Sequence, residues 1–212
     1  MNLAEVDGFI LAGGLSRRMG TPKGLLRIDG ETILERVART AGAIVGRLSV
    51  VSDRAEEVDF LKLPVLADTF KRCGPLGGLH AALGAASSES VLILACDLPF
   101  VSARLIRSLW SVHNPAGVTI PCAGGRIHPL CGFYAKRLLP AVESRLMADE
   151  NAMRPFLEAV GAEFVPLESL PDPVPDWHLL NINTPQDLAA AVAAAGGSAE
   201  SVRALQDKSQ NL

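Results

Sequence analysis

Residues 10–26 read ILAGGLSRRMGTPKGLL and place glycines at 13, 14, 20 and 24, arginines at 17 and 18 and a lysine at 23 directly after an apolar run. Ala12-Gly13-Gly14 lets the main chain come close to a ligand, because glycine has no Cβ to hold it off. Amide N–H groups exposed in such a turn bind phosphate oxygens. Arg18 and Lys23 supply charge to hold the β- and γ-phosphates of a nucleotide and to stabilise a departing pyrophosphate, with Arg17 a solvated neighbour. The spacing is Gly-Gly-x-x-x-Arg-Met-Gly-x-Pro-Lys, which is neither Gly-x-Gly-x-x-Gly nor a loop ending in Gly-Lys-Ser/Thr. The plain alternative is a surface loop with a basic edge.

A second chemical signal lies in VLILACDLPF, residues 91–100. Asp97 follows a five-residue apolar strand, where a carboxylate costs desolvation unless something pairs with it. Pro99 stops the ladder and leaves that carboxylate at the strand's mouth. A Mg²⁺ ion bridging Asp97 to nucleotide phosphates would satisfy the charge. The competing role, capping the next helix, is better filled by Ser102. In LNINTPQDL, Asn181 and Asn183 alternate along an extended segment and share one face, although an Asx-rich cap accounts for Asn183 and Thr184. Gly74, Gly77 and Gly78 in CGPLGGL flank a helix start whose amides can meet a base edge or ribose. His128 in GGRIHPLCGFY is a candidate contact for a second substrate, and Glu150 and Arg154 belong to a candidate acceptor-side loop. His80, His113 and His178 read as ordinary structural histidines. No Gly-x-Ser-x-Gly occurs and no cysteine has a histidine partner in sequence, so positioning and charge fit better than covalent catalysis.

Strands and helices must hold these groups. Gly8–Leu11, Leu48–Val51, Leu63–Leu66, Val91–Ala95, Gly117–Pro121, Gly132–Tyr134 and Glu163–Pro166 read as strands. Thr32–Val45 repeats its apolar positions at helical spacing, and Leu76–Ala86, Leu105–Val112, Arg137–Met147 and Thr184–Ala195 are the other helical segments. Alternation of the two predicts an α/β fold with a mostly parallel sheet covered on both faces. Ligands gather at the carboxyl ends of strands in such sheets, and both the glycine loop and Asp97 fall there. Residues 1–195 are expected to form one domain, with 196–212 a flexible tail.

The chain has 212 residues, 49% of them hydrophobic, and a net charge of −3. That balance excludes a generally basic nucleic-acid binder and broad attraction to a membrane surface. Cys73, Cys96, Cys122 and Cys131 are too widely spaced for a zinc site and are expected to be free and mostly buried. The amino terminus is acidic where a signal peptide is basic, and no apolar run approaches the ~20 residues of a transmembrane helix. A cytoplasmic protein is expected.

In order, LAGGLSRRMG, PKGLL, GPLGGL, CDLPF, HPL and NINTPQDL resemble the nucleotidyltransferases that open with Leu-Ala-Gly-Gly-x-x-x-Arg-Met-Gly-x-x-Lys. The nearest likeness is to the molybdenum cofactor guanylyltransferases, the molybdopterin-guanine dinucleotide biosynthesis protein A family within the glycosyltransferase-A-like nucleotidyltransferases, and it runs to about Ala195. The resemblance implies a Rossmann-like three-layer sandwich of the nucleotide-diphospho-sugar transferase type. It implies transfer of GMP from GTP to the terminal phosphate of molybdopterin, with release of pyrophosphate. Leu11, Ala12, Gly13 and Gly14 would line the nucleotide through the backbone, Lys23 would meet its phosphates, Asp68 and Ser52 would contact it, and Asp97 would hold Mg²⁺. Asn181 and Asn183 would sit near the reacting phosphates, with His128 and Arg154 on the acceptor side. Neutral amides at 181 and 183, where cytidylyl and uridylyl enzymes tend to have aspartates, fit the guanylyl branch. Molybdoenzyme-maturation proteins would be partners. The alternatives are cytidylyl or other nucleotidyl transfer to molybdopterin or a sugar phosphate, and a non-catalytic nucleotide-binding protein.

Overall fold

The computed structural model describes residues 2–13, 23–182 and Asp187. Gly14, Arg17, Arg18, Asn183, all of the Thr184–Ala195 helix except Asp187, and the 196–212 tail lie outside the described residues. In chain order the strands and helices are β1 (Asp7–Leu11), β2 (Arg27–Ile28), β3 (Glu31–Thr32), α1 (Ile33–Gly42), β4 (Arg47–Val51), α2 (Ala55–Val58), β5 (Val65–Leu66), α3 (Gly74–Ala85), β6 (Ser90–Ala95) and α4 (Ala103–Ser111). They continue with β7 (Val118–Ala123), β8 (Arg126–Ile127), β9 (Cys131–Ala135), α5 (Leu139–Met147), α6 (Met153–Ala159) and β10 (Glu163–Pro166).

The main sheet runs β10-β7-β9-β6-β1-β4-β5, with β8 paired to β7 at its end. The run β5, β4, β1, β6 is parallel throughout, as is the pair β7 and β10. Between these parallel parts lies β9, antiparallel to both β6 and β7. A mostly parallel sheet is therefore right, but the reversed strand at its middle has no local signature in sequence.

Period-2 side-chain alternation splits every central strand between two cores. Ile10, Val50, Leu92, Leu94 and Phe133 face α1 and α4, packing with Ile33, Leu34, Val37, Leu105 and Leu109. Phe9, Leu11, Val91, Ile93 and Tyr134 face the other way, onto α3, α5 and α6. The result is helix, sheet, helix in three layers, which explains why these strands read as continuous apolar runs. Helix starts are set by side chains: Thr32 Oγ1 accepts from the Glu35 amide at 3.1 Å while Glu35 Oε2 accepts from the Thr32 amide at 2.7 Å. Ser102 caps α4, accepting from the Leu105 amide at 3.1 Å, as expected.

His113 is a satisfied structural histidine. Its ring is within hydrogen-bonding distance of Thr119 Oγ1 (3.1 Å) and Ser90 Oγ (3.0 Å) and stacks on Trp110, and burial pushes its pKa down to about 4. His178 is buried with Nδ1 2.7 Å from Ser102 Oγ. All four cysteines are thiols outside any disulfide, but only Cys131 is buried. The expectation that most would be buried fails because Cys73, Cys96 and Cys122 sit at or beside element ends. No helix among the described residues is long and apolar enough to cross a membrane.

At the amino-terminal edge of the sheet, buried Asp7 accepts from Arg47 Nε at 2.8 Å and from the Ser87 and Ser88 amides at 2.6 and 3.0 Å. Burial works to raise its pKa, yet the two amides and the guanidinium outweigh burial and hold the carboxyl below its ordinary value. The stabilisation is thus full above the unfolded-state pKa of about 3.9 and is lost as pH falls through the lower folded value. Asp7→Asn is expected to cost about 1–3 kcal/mol at pH 7. Melting curves should show that deficit shrinking below about pH 4, and an undiminished deficit at pH 3 refutes the account.

Candidate active site

The carboxyl ends of four parallel strands line up because the ladder continues past their formal ends. The Ala12 amide donates to the Val51 carbonyl at 2.9 Å, the Ser52 amide to Leu66 at 2.9 Å, and the Cys96 amide to Leu11 at 3.3 Å. From one side to the other, the residues emerging from β5, β4, β1 and β6 are therefore Asp68, Ser52, Ala12-Gly13 and Asp97. All four groups singled out from sequence stand on one edge.

Leu11 and Ala12 are buried, with the Leu11 carbonyl and Ala12 amide used within the sheet. Gly13 is exposed, and among the described residues a Cβ built there would meet nothing within 4 Å. Packing among the described residues does not demand glycine at 13. The glycine loop returns at Lys23, which opens a short 3₁₀ turn, Lys23–Leu25. A Cβ built on Gly24 would lie 3.6 Å from both the Cβ and the carbonyl oxygen of Cys96. The main chain at Lys23–Gly24 thus lies beside Cys96–Asp97, and the two halves of the phosphate-site hypothesis converge although 74 positions separate Lys23 from Asp97.

Asp97 lines an open cleft of about 650 Å³, within the range of small-molecule sites. One wall is Pro75 at the start of α3, and another is the β7–β8 hairpin with His128 and Pro129 after it. Leu179, Leu180 and Asn181 close the third side, where the Ile182 amide donates to the Asp97 carbonyl at 3.2 Å. His128 is half-buried; burial first and the Arg126 guanidinium second draw its pKa below the usual imidazole value, with Asp176 opposing. It is therefore a neutral hydrogen-bonding ring at pH 7. A larger groove of about 910 Å³ between α1 and Phe60–Leu63 contains none of the strand-end residues.

Asp68 stands apart from the cleft lining and is docked on α3. Its Oδ1 accepts from the Phe70 amide at 3.0 Å, and its own amide donates to Asp53 Oδ1 at 3.2 Å. Burial pushes its carboxyl above the ordinary value; the Phe70 amide opposes this and the Asp53 carboxylate adds to it. A Cβ at Gly77 would lie 2.6 Å from Asp68 Oδ2 and 2.9 Å from the Phe70 carbonyl, and one at Gly78 would lie 3.3 Å from Leu11 Cδ1. Both glycines are buried, so they serve close packing of α3 against the Asp68 turn and β1. His80, one turn on, meets Phe70 edge to face at 4.8 Å.

Ser52 is buried, with its hydroxyl turned back to accept from the Arg54 amide at 3.1 Å. Arg154 is not among the cleft-lining residues; it lies on α6, 3.7 Å from Glu158, and its neighbour Met153 reaches the cleft instead. Glu150 pairs with Arg145 at 2.6 Å. Three charged cleft residues went unnoticed in sequence: Arg126, Asp176 and Asp187. Arg126 had a signal, since it precedes His128 by two positions along an extended segment, whereas nothing local marks the aspartates.

A family model described as a MobA-like NTP transferase domain matches residues 8–164. A Carboxydothermus hydrogenoformans protein named "probable molybdenum cofactor guanylyltransferase" is 38% identical over 179 residues, covering 84% of this chain and 90% of its own. The molybdenum cofactor guanylyltransferase of Syntrophotalea carbinolica is 34% identical over 181 residues, with 84% and 86% covered. The crystal structure of molybdopterin-guanine dinucleotide biosynthesis protein A from Archaeoglobus fulgidus superposes with a TM-score of 0.74 at 25% identity, covering 90% of this chain and 99% of that one.

The packing at Gly77 can be tested directly. Gly77→Val is expected to cost about 1–3 kcal/mol by overpacking and to push out the turn that follows Asp68. Limited trypsin digestion should then cut faster at the exposed Lys71 and Arg72; unchanged melting and cleavage refute the close approach.

Proposed function

The chain belongs to the MobA-like NTP transferase family, and from that premise we propose that it transfers GMP from GTP to the terminal phosphate of molybdopterin. The products are pyrophosphate and molybdopterin guanine dinucleotide. The observation that supports this reading best is the approach of Lys23–Gly24 to Cys96–Asp97 at the mouth of a cleft.

An acceptor phosphate oxygen attacks the α-phosphorus of GTP, forming one P–O bond as the bond to the β-phosphate breaks. Charge then moves onto pyrophosphate, so catalysis depends on alignment and on cations set where that charge develops. The backbone at Leu11, Ala12, Gly13 and Gly14 lines the nucleotide, with Ser52 and Asp68 on the same side. Lys23 and Arg18 take the β- and γ-phosphates. Asn181 and Asn183 hold phosphate oxygens as neutral donors, and their lack of charge favours the guanylyl over the cytidylyl reading. His128, neutral at pH 7, orients the acceptor, and Arg154 draws it in from the rim.

Mg²⁺ fits the residues present. Among the described residues no group of three His, Cys, Asp or Glu side chains is poised to hold a metal, whereas Mg²⁺ commonly binds through one or two carboxylates, waters and substrate phosphates. Asp97 is half-buried at the cleft and would hold it. When bound, the ion offsets charge on the triphosphate. The substrates fit the cytoplasm, where proteins that mature molybdoenzymes would receive the product.

Asp97→Ala is expected to lower pyrophosphate release at least about 100-fold, with melting unchanged to within about 2 °C. Thermal-shift titrations with Mg²⁺ should rank GTP above CTP and UTP, since the preferred nucleotide stabilises most. Turnover by the variant, or a preference for CTP, overturns the corresponding assignment.

A further inference from the structure

We propose that Arg126 receives the terminal phosphate of the acceptor; this rests on the guanylyl-transfer reading above. Three observations converge on it. First, Arg126 is the one arginine or lysine among the described residues lining the cleft, where the other charged side chains are Asp97, Asp176 and Asp187. A phosphomonoester brought beside carboxylates needs a cation close by, and a guanidinium presents a planar fork that matches phosphate oxygens.

Second, the hairpin holds this residue in a defined place. Cys122 pairs with Ile127 and Ala123 with Arg126, joined by Gly124 and Gly125 at φ of +54° and +73°. Two successive positive φ values make a tight two-residue turn whose twist suits the flanking strands. The Arg126 backbone is therefore fixed by the sheet, with only the side chain left to adapt. Its neighbour Pro129 lies on the same wall of the cleft as His128, so the cation and the neutral ring act on one ligand.

Third, the basic groups beside the 149–154 segment are paired: Arg145 is 2.6 Å from Glu150 and Arg154 is 3.7 Å from Glu158. Among the described residues Arg126 enters no ion pair, and it is exposed. Arg154, taken from sequence as the acceptor-side cation, lies one residue beyond the Met153 that lines the cleft. The geometry thus transfers the phosphate-holding task from α6 to the hairpin and leaves Arg154 an outer, steering charge.

The test is anaerobic calorimetry of molybdopterin binding to the nucleotide-free protein, as wild type, Arg126→Gln and Arg126→Lys. Arg126→Gln should weaken binding about 10- to 100-fold and Arg126→Lys less, because a lysine keeps the charge and loses the fork. Enzymatic removal of the acceptor's phosphate should weaken wild-type binding by the same factor and the Gln variant no further. GTP affinity should stay within about twofold and melting within about 2 °C, as for an exposed side chain. In turnover, KM for the acceptor should rise while KM for GTP holds. Equal molybdopterin affinity in wild type and Arg126→Gln, no binding to wild type, or a parallel loss of GTP affinity overturns the assignment. Arg126-dependent binding with no pyrophosphate released from GTP leaves the assignment standing and removes the guanylyl-transfer reading instead.

Discussion

The site depends on a register. Three backbone hydrogen bonds, from Ala12 to Val51, from Ser52 to Leu66 and from Cys96 to Leu11, carry the parallel ladder one step beyond its strands. A slip of one residue in any pairing would turn that strand's side chains to the wrong core, and would carry Asp97 or Ser52 out of line with Ala12-Gly13. The two apolar layers enforce the register, since Ile10 and Leu94 belong to one and Phe9 and Ile93 to the other. Placement of polar groups at one edge is thus a by-product of apolar alternation along the whole sheet.

The two edges of the sheet are built differently. At the amino-terminal side, Asp7 is buried with amides and Arg47 around it, a charge fully answered inside the protein. At the carboxyl side Asp97 lines a cleft, and Asp68, apart from that cleft, is buried enough that desolvation works against its ionised form. Such unresolved electrostatics collects where ligands complete the set of partners. The contrast separates a structural carboxylate from candidate functional ones more clearly than residue type does.

Much of this was legible in the sequence, for identifiable reasons. Val91–Ala95 and Glu163–Pro166 read as strands because continuous apolar or extended runs bounded by turn residues leave little choice, and the capping Ser102 declares itself by position. The packing role of Gly77 and Gly78 was not legible, because a glycine spared for a ligand and one spared for a neighbouring carboxylate look alike until the neighbour is known. The reversal at β9 was invisible, since direction depends on partners 40 residues away in β6 and not on Gly132–Tyr134 itself. Met153–Ala159 escaped because seven residues give hardly two turns of periodicity. Arg154 was singled out and Arg126 overlooked because the sequence does not show which side of α6 faces the cleft.

The reversed strand divides the molecule's labour. Because β9 runs against β6 and β7, the chain must cross the mouth of the cleft between leaving β7 and entering β9, and that crossing is the hairpin with its His-Pro-Leu continuation. The run of β5, β4, β1 and β6 contributes only strand ends, whereas the crossing is an excursion tied back to the sheet where the Ala95 amide donates to the Leu130 carbonyl at 2.7 Å and the His128 amide to the Pro121 carbonyl at 3.0 Å. A lineage with this architecture can vary the glycine tip of that excursion while the ends of β5, β4, β1 and β6 stay as they are.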